Sequence, residues 1–202
     1  MSTVAPTLKL TKTQITHEAI ALLHEEGLKQ VTLRNLAERL SVKAPSLFWY
    51  IKNKDELLAL VDEAIFRQCV ESIPTCKTWQ DWLYQYALAL WQAQCKAPDI
   101  PQLITQVNLS KEIRETLYQL LYDQLAPFNL DIEFAMKMQS SVQALVTGWT
   151  VLTNVPRDPN IPPNQEYSPL QDDIHQALNV LIAGWEDELF KLQENSGQKQ
   201  AM

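Results

Sequence analysis

Lys43, Ala44, Pro45, Ser46, Trp49, Tyr50 and Lys54 fall together in the stretch KAPSLFWYIKNK. They combine cations, a hydroxyl and two adjacent aromatic rings. Cations and hydroxyls of this kind hold phosphate oxygens, and short side chains beside them touch base edges. Trp49 and Tyr50 are neighbours, so one small core cannot bury both, and exposed aromatics beside lysines are costly without a partner. A helical hairpin with a solvated face is the plainer reading. The adjacent aromatics weigh against it.

Two short helices must position these groups. Thr32 caps the first, and Leu33, Leu36, Ala37 and Leu40 recur on one helical face. Ser41 and Val42 turn the chain. Pro45 suits the start of a second helix reaching about Tyr50, with Leu47 and Ile51 facing inward. A short second helix held rigidly by the first is the arrangement that enters a DNA major groove. A preceding helix over 13–26 ends at Gly27, expected in the left-handed conformation with Leu28 folding back. Asn53 and Glu56 form a capping box for a fourth helix over about 54–73.

Over residues 1–54, eight Lys/Arg stand against four Asp/Glu; over the rest, nine stand against twenty. The net charge of −7 therefore hides a basic head on an acidic body, which would orient the molecule on a polyanion. No apolar run approaches the roughly 20 residues of a membrane span, and no export signal is read at the start. A cytoplasmic protein is expected. Residues 1–11 are expected to form a loose arm and the last eight a frayed tail.

The body is expected to be helical throughout. Thr78 and Asp81 open a fifth helix to about Cys95, and a short irregular helix follows near 99–107. Ser110 caps a seventh to about Leu125, and Asp131 an eighth to about Asn154. Prolines mark 156–169 as a loop, and Ser168–Pro169 starts a last helix to about Gln193. The fold class is all-α with about nine helices: a three-helix helix-turn-helix head over 1–54, the fourth helix connecting, and a body over 74–202.

These positions resemble the TetR family of bacterial regulators. The pattern is Ala37, Leu40, Val42, Pro45, Leu47, Phe48, Tyr50, Lys54 and Leu57, and it is closest to the family's tetracycline repressors at PSLFWYIKNK and at WQDWL. Two departures stand out: Ser41 replaces a usual turn glycine, and Phe48 a usual phosphate-contacting tyrosine. On this footing Lys43, Ala44, Ser46 and Trp49 would face base edges, with Ala44 and Pro45 against thymine methyls. Thr32, Arg34, Tyr50 and Lys54 would hold the backbone, and Phe48 lies beside it without a hydroxyl.

The eighth and last helices alternate large and small apolar residues, so one face can pack on the body and another on a second copy. Val142, Leu145, Trp149, Leu178, Leu181, Ile182 and Trp185 are the candidates for a homodimer interface; a wholly internal core is the alternative. The family resemblance favours pairing.

For a small-molecule effector, Trp82, Tyr86 and Leu90 form one stripe on the fifth helix. Gln139 and Gln143 share a stripe on the eighth. A glutamine facing a core finds a partner or lines a pocket, since an unpaired one costs roughly 1–3 kcal/mol. The resemblance implies a pocket among helices four to eight; Leu103 and Gln106 are further candidates to line it. Residues 97–108 lack the metal-binding histidine of tetracycline repressors, so an apolar or aromatic organic molecule is expected rather than magnesium–tetracycline.

His17, His24 and His175 make no metal set, and no catalytic constellation is visible. No cofactor, metal site or enzymatic activity is expected. The three cysteines, Cys69, Cys76 and Cys95, are read as reduced thiols. The expected function is a ligand-responsive homodimeric repressor of a near-palindromic operator. The alternatives are a helical carrier or enzyme without DNA binding, and an activator without inducer.

Overall fold

The structure is a computed structural model that describes residues 10–154 and 173–200, with side chains to residue 194. The expected arm, the proline-rich loop and the cap at Ser168 lie outside the described residues. Among the described residues there are helices and no strands.

The first three helices, α1 (Lys12–Glu26), α2 (Leu33–Arg39) and α3 (Ala44–Leu47), form the head. Thr11 caps α1 in a full capping box with Gln14, and Thr32 caps α2 by accepting the Asn35 N–H. Their apolar faces meet at Ile15, Ala19, Leu23, Leu36, Leu47 and Ile51, all buried.

α3 is shorter than the expected run to Tyr50. The Leu47 carbonyl accepts from both Tyr50 N–H and Ile51 N–H at 2.9 Å, which tightens the chain and ends the helix. Leu47 and Ile51 still point inward, with no exposed surface.

The turn between α2 and α3 places Ser41 at φ 54°, in the left-handed region where glycine is the cheaper residue. Gly27 differs from its expected conformation. It adopts φ 86°, ψ 169°, because Leu28 N–H turns away from α1 and donates to Asp99 Oδ2 at 2.6 Å.

α4 (Lys54–Glu71) links head and body. Asn53 caps it by accepting the Glu56 N–H at 2.8 Å. The Glu56 carboxylate does not complete the box; it accepts the Lys52 N–H at 2.7 Å and pairs with Lys12.

The body comprises α5 (Trp79–Lys96), α6 (Ile100–Gln106), α7 (Lys111–Leu125), α8 (Ile132–Thr153) and α9 (Asp173–Gln200). Thr78, Ser110 and Asp131 cap α5, α7 and α8 as their sequence positions indicate. α9 continues past Gln193 to Gln200, since residues such as Ser and Gly weaken a helix interior by only about 1 kcal/mol or less each.

One apolar core runs without a break from Ile15 and Leu47 through Leu57, Val61 and Ile65 to Leu83, Met138 and Leu178. Head and body are thus joined through α4 by packing as well as by chain.

A methyl group on Gly27 would lie 2.9 Å from Asp99 Oδ2, at a φ that side chains rarely adopt. Gly27→Ala should therefore lower stability by about 1–3 kcal/mol. Urea unfolding checks this, and an unchanged midpoint would contradict it.

Candidate nucleic-acid interface and effector site

The tip of the head is set by the turn. Val42 N–H donates to the Ala37 carbonyl at 2.9 Å and Ser41 N–H to Glu38 at 3.1 Å, which fixes α3 against α2. Arg39 reaches back to α1, meeting Glu25 at 2.6 and 2.8 Å and Glu18 at 3.0 Å. These partners raise the Arg39 pKa and hold the Glu25 carboxyl below its usual range. Arg39 is thereby spent on rigidity.

What α3 presents outward is otherwise uncommitted. Trp49 is 88% exposed and Phe48 55% exposed. Lys43, Pro45 and Lys54 are exposed, while Ala44, Ser46 and Tyr50 are half-buried on the same surface. Tyr50 packs partly against the core, so the two adjacent aromatics divide: Trp49 faces solvent fully and Tyr50 only at its edge. Thr32 is occupied as a cap, and exposed Arg34 pairs with Glu38 at 3.2 Å. An exposed pair of this kind is worth well under 1 kcal/mol and yields readily to a phosphate.

In the body, the expected effector residues split into a buried group and an outlier. Trp82, Tyr86, Leu90 and Leu103 are buried, and Gln139 with them. Gln106 is exposed on the last turn of α6, apart from that group. The two glutamines find a partner: Gln139 Nε2 donates to Tyr86 Oη at 2.7 Å, and Tyr86 O–H donates to Gln143 Oε1 at 3.1 Å. Gln139 Nε2 also lies 2.9 Å from Gln143 Oε1. Burial pushes the Tyr86 hydroxyl pKa far up, so it stays a neutral donor. Trp82 stacks on Tyr86 with ring centroids 5.5 Å apart, and Phe66 meets it edge-on at 6.0 Å. The cluster is closed; a cleft of about 230 Å³ lies nearby, between α4, α5 and α6, lined by Cys69, Ala89 and Ile100 among others.

Three features of this region were missed from sequence. Gln94 is fully buried, donates to Thr147 Oγ1 at 3.1 Å, and leaves its own carbonyl without a partner. It extends the 82–86–90 stripe by one more turn, so the same periodicity could have found it. His175 sits at 2.6 Å from Tyr84 Oη and edge-on to Trp91; no local signal in α9 points to it.

Asp62 is the third. It lies one turn before Phe66 on the otherwise apolar 59–62–66–69 face of α4, and desolvation pushes its carboxyl up to about 6.

The expected dimer residues fall into two groups within the protomer. Val142 and Leu178 have no exposed surface and Ile182 8%, so these three fill the protomer's own core. Trp185 donates to Ser141 of its own chain at 2.8 Å and packs edge-on against Phe134. Leu145, Trp149 and Leu181 are half-buried at the margin. The apolar surface left open is Val151, Leu152, Val180 and Phe190, with exposed Ala144, Gly148, Ala183 and Gly184. A doubly apolar helix does not say in its sequence which stripe turns out of the protomer.

Among the described residues, no group of three His, Cys, Asp or Glu side chains is placed to hold a metal ion. No described helix is long and apolar enough to cross a membrane. The three cysteines are unpaired, and burial pushes the Cys69 thiol up to about 11, away from the reactive thiolate.

The profile of bacterial regulatory proteins of the tetR family matches residues 15–61, which spans most of α1, the α2–turn–α3 unit and the first part of α4. The tetracycline repressor protein class D of Escherichia coli is 29% identical over 208 residues, covering 91% of this chain and 93% of that protein. An HTH-type transcriptional regulator of Saccharopolyspora erythraea is 35% identical over 72 residues, 36% of this chain and 30% of that protein. Among solved structures, a TetR variant from Acinetobacter baumannii AYE in complex with minocycline superposes with a TM-score of 0.67 at 25% identity. That superposition covers 89% of this chain and 98% of that one.

Asp62 generates a stability prediction. Its raised pKa means the fold favours the protonated carboxyl, so the cost is absent below about pH 4 and develops as pH rises through about 6. Full ionisation costs up to about 3 kcal/mol. Asp62→Asn should therefore be relatively more stable at pH 8 than at pH 4.5, by about 2 kcal/mol, since part of the cost has developed by pH 4.5. Paired urea melts of the two proteins check it, and a pH-independent difference would sink it.

Proposed function

Because the chain belongs to the TetR family of bacterial regulatory proteins, we propose that it is a cytoplasmic repressor that binds a near-palindromic operator as a homodimer and leaves it on taking up a small organic effector. It is a transcriptional regulator, and no enzymatic step is assigned to it. The observation that carries the DNA-binding assignment is the tip of the head, where α3 is braced from behind and Trp49 stands almost wholly in solvent among lysines.

In this reading Lys43, Ala44, Pro45, Ser46 and Trp49 meet base edges in the major groove. Thr32, Arg34, Tyr50, Lys52 and Lys54 grip the phosphates, with Phe48 packed against the sugar–phosphate surface. Residues 1–54 serve DNA, α4 connects, and residues 74–202 serve the effector and the partner. Two heads about 34 Å apart reach successive major grooves, which requires a dimer of fixed geometry. The open face of α8 and α9 supplies it, as a four-helix bundle with the second copy.

The effector belongs at the Trp82–Tyr86–Gln139–Gln143 cluster, beneath α4. A molecule seated there must part α4 from α5, and α4 shares its packing with the head. It can shift the equilibrium only by its difference in affinity between the gripping and released states.

Lys54→Ala should weaken binding to operator and random duplex by a similar factor and reduce the salt slope by about one. Fluorescence anisotropy at several salt concentrations measures both; altered sequence preference would contradict a phosphate role.

A side chain on Gly148 meets nothing within 4 Å in the protomer. Gly148→Arg should leave helix content and protomer folding intact while converting dimer to monomer in analytical ultracentrifugation. A persistent dimer would move the interface elsewhere.

A further inference from the structure

Asp99 opens α6 at the position from which an acid ordinarily caps its own helix. Here its side chain caps nothing in α6. Its Oδ2 instead accepts the Leu28 N–H at 2.6 Å, from the turn that follows α1. A forgone cap weakens the start of α6, so the carboxylate serves a distant partner at a local cost.

Gly27 is fitted to the same bond. Its φ of 86° lets the chain turn Leu28 N–H toward Asp99, and a Cβ there would stand 2.9 Å from Asp99 Oδ2. Only a residue without a side chain admits both the turn and the approach.

Leu28 is well placed to pass a displacement on. It is buried and opens the short turn Leu28–Gln30, which leads through buried Val31 and the cap Thr32 into α2. α2 in turn holds α3 through the hydrogen bond from Val42 N–H to the Ala37 carbonyl. A shift of Leu28 is thus delivered to α3 without passing through α4.

α6 is equally well placed to receive one. Its buried residues Ile100, Pro101 and Leu103 belong to an element that packs against α4, α5 and α8. Those three helices carry Phe66, Tyr86 and Gln139 of the effector cluster. α1 and α6 themselves stand apart across the cleft of about 230 Å³, lined by His24 of one and Ile100 of the other. The Asp99 bond spans a junction that apolar packing leaves open.

We propose that Asp99 is a positioning residue for operator binding: its bond to Leu28 holds the head at the angle that grips DNA, and an effector that displaces α6 frees the head by breaking it. This rests on the regulator function above and adds to it a route from body to head that bypasses α4.

The test uses the full-length protein, a palindromic duplex selected by the wild type from a random pool, and a random duplex of the same length. With no effector added, Asp99→Ala should bind the selected duplex at least about tenfold more weakly, the scale of one hydrogen bond to a charged group. Its affinity for the random duplex should be unchanged, since the phosphate-binding cations are untouched. The variant should also discriminate less than the wild type against selected duplexes with base pairs inserted at the centre, a readout of head spacing that loss of stability alone does not move. Asp99→Asn keeps an oxygen that accepts the Leu28 N–H and should recover most of the loss. Circular dichroism establishes that both variants are folded. A further measurement needs no variant: in the wild type bound to the selected duplex, the Leu28 amide should be protected from hydrogen exchange.

Unchanged affinity of Asp99→Ala for the selected duplex, an equal fall on both duplexes, an unaltered spacing preference, or a freely exchanging Leu28 amide in the complex would each overturn the assignment. Failure of the regulator reading would look different and would take this assignment with it: the wild type itself would select no sequence from the pool and bind all duplexes alike.

Discussion

Everything in this molecule depends on α4 being held at both ends by the same core. Leu57 and Val61 pack with the apolar residues of the head, and Ile65, Phe66 and Cys69 pack with those of the body, without a polar layer between. A close-packed interior transmits displacement instead of absorbing it. A second tie reinforces the first, since Asp99 at the start of α6 accepts the Leu28 N–H at the end of α1. The head therefore cannot be a freely swinging module on a linker. Its orientation is a property of the body's packing, and that is what lets an event beneath α4 be felt at α3.

The head was largely legible in the sequence because its signals are local. Caps at Thr32 and Asn53, the turn at Ser41–Val42 and the inward pair Leu47 and Ile51 all act within a few residues, and each is where the pattern put it. One misreading there was local, a shared carbonyl that cut α3 short; the other was not, since a hydrogen bond to Asp99, 71 residues along the chain from Leu28, redirects the turn at Gly27.

The body was legible as helices but not as faces. Val142, Leu178 and Ile182 look identical in pattern to Val151, Val180 and Phe190, yet the first set is interior and the second open. Hydrophobic periodicity gives a stripe; which neighbour the stripe meets is settled by packing with distant segments. The glutamine stripe illustrates the same limit. Its polarity announced that something must satisfy it, but only the fold reveals that Tyr86 does.

Charge and stability pull in opposite directions across the chain, and the way they are resolved separates structure from function. In the head, charges are paired where rigidity is wanted, as at Arg39, and left free where a polyanion is to be met, as at Lys43 and Lys54. In the body, the Tyr86–Gln139–Gln143 set is matched, while buried polar atoms of Trp82, Gln94 and Trp149 have no partner among the described residues. A core that pays only for folding would replace Asp62 with an apolar residue on a face otherwise made of Ala59, Phe66 and Cys69. Proteins tolerate such a loss where a binding event recovers it. On that argument Asp62 places a half-buried acid on the very helix whose packing joins head to body, where a change of charge or contact reaches both.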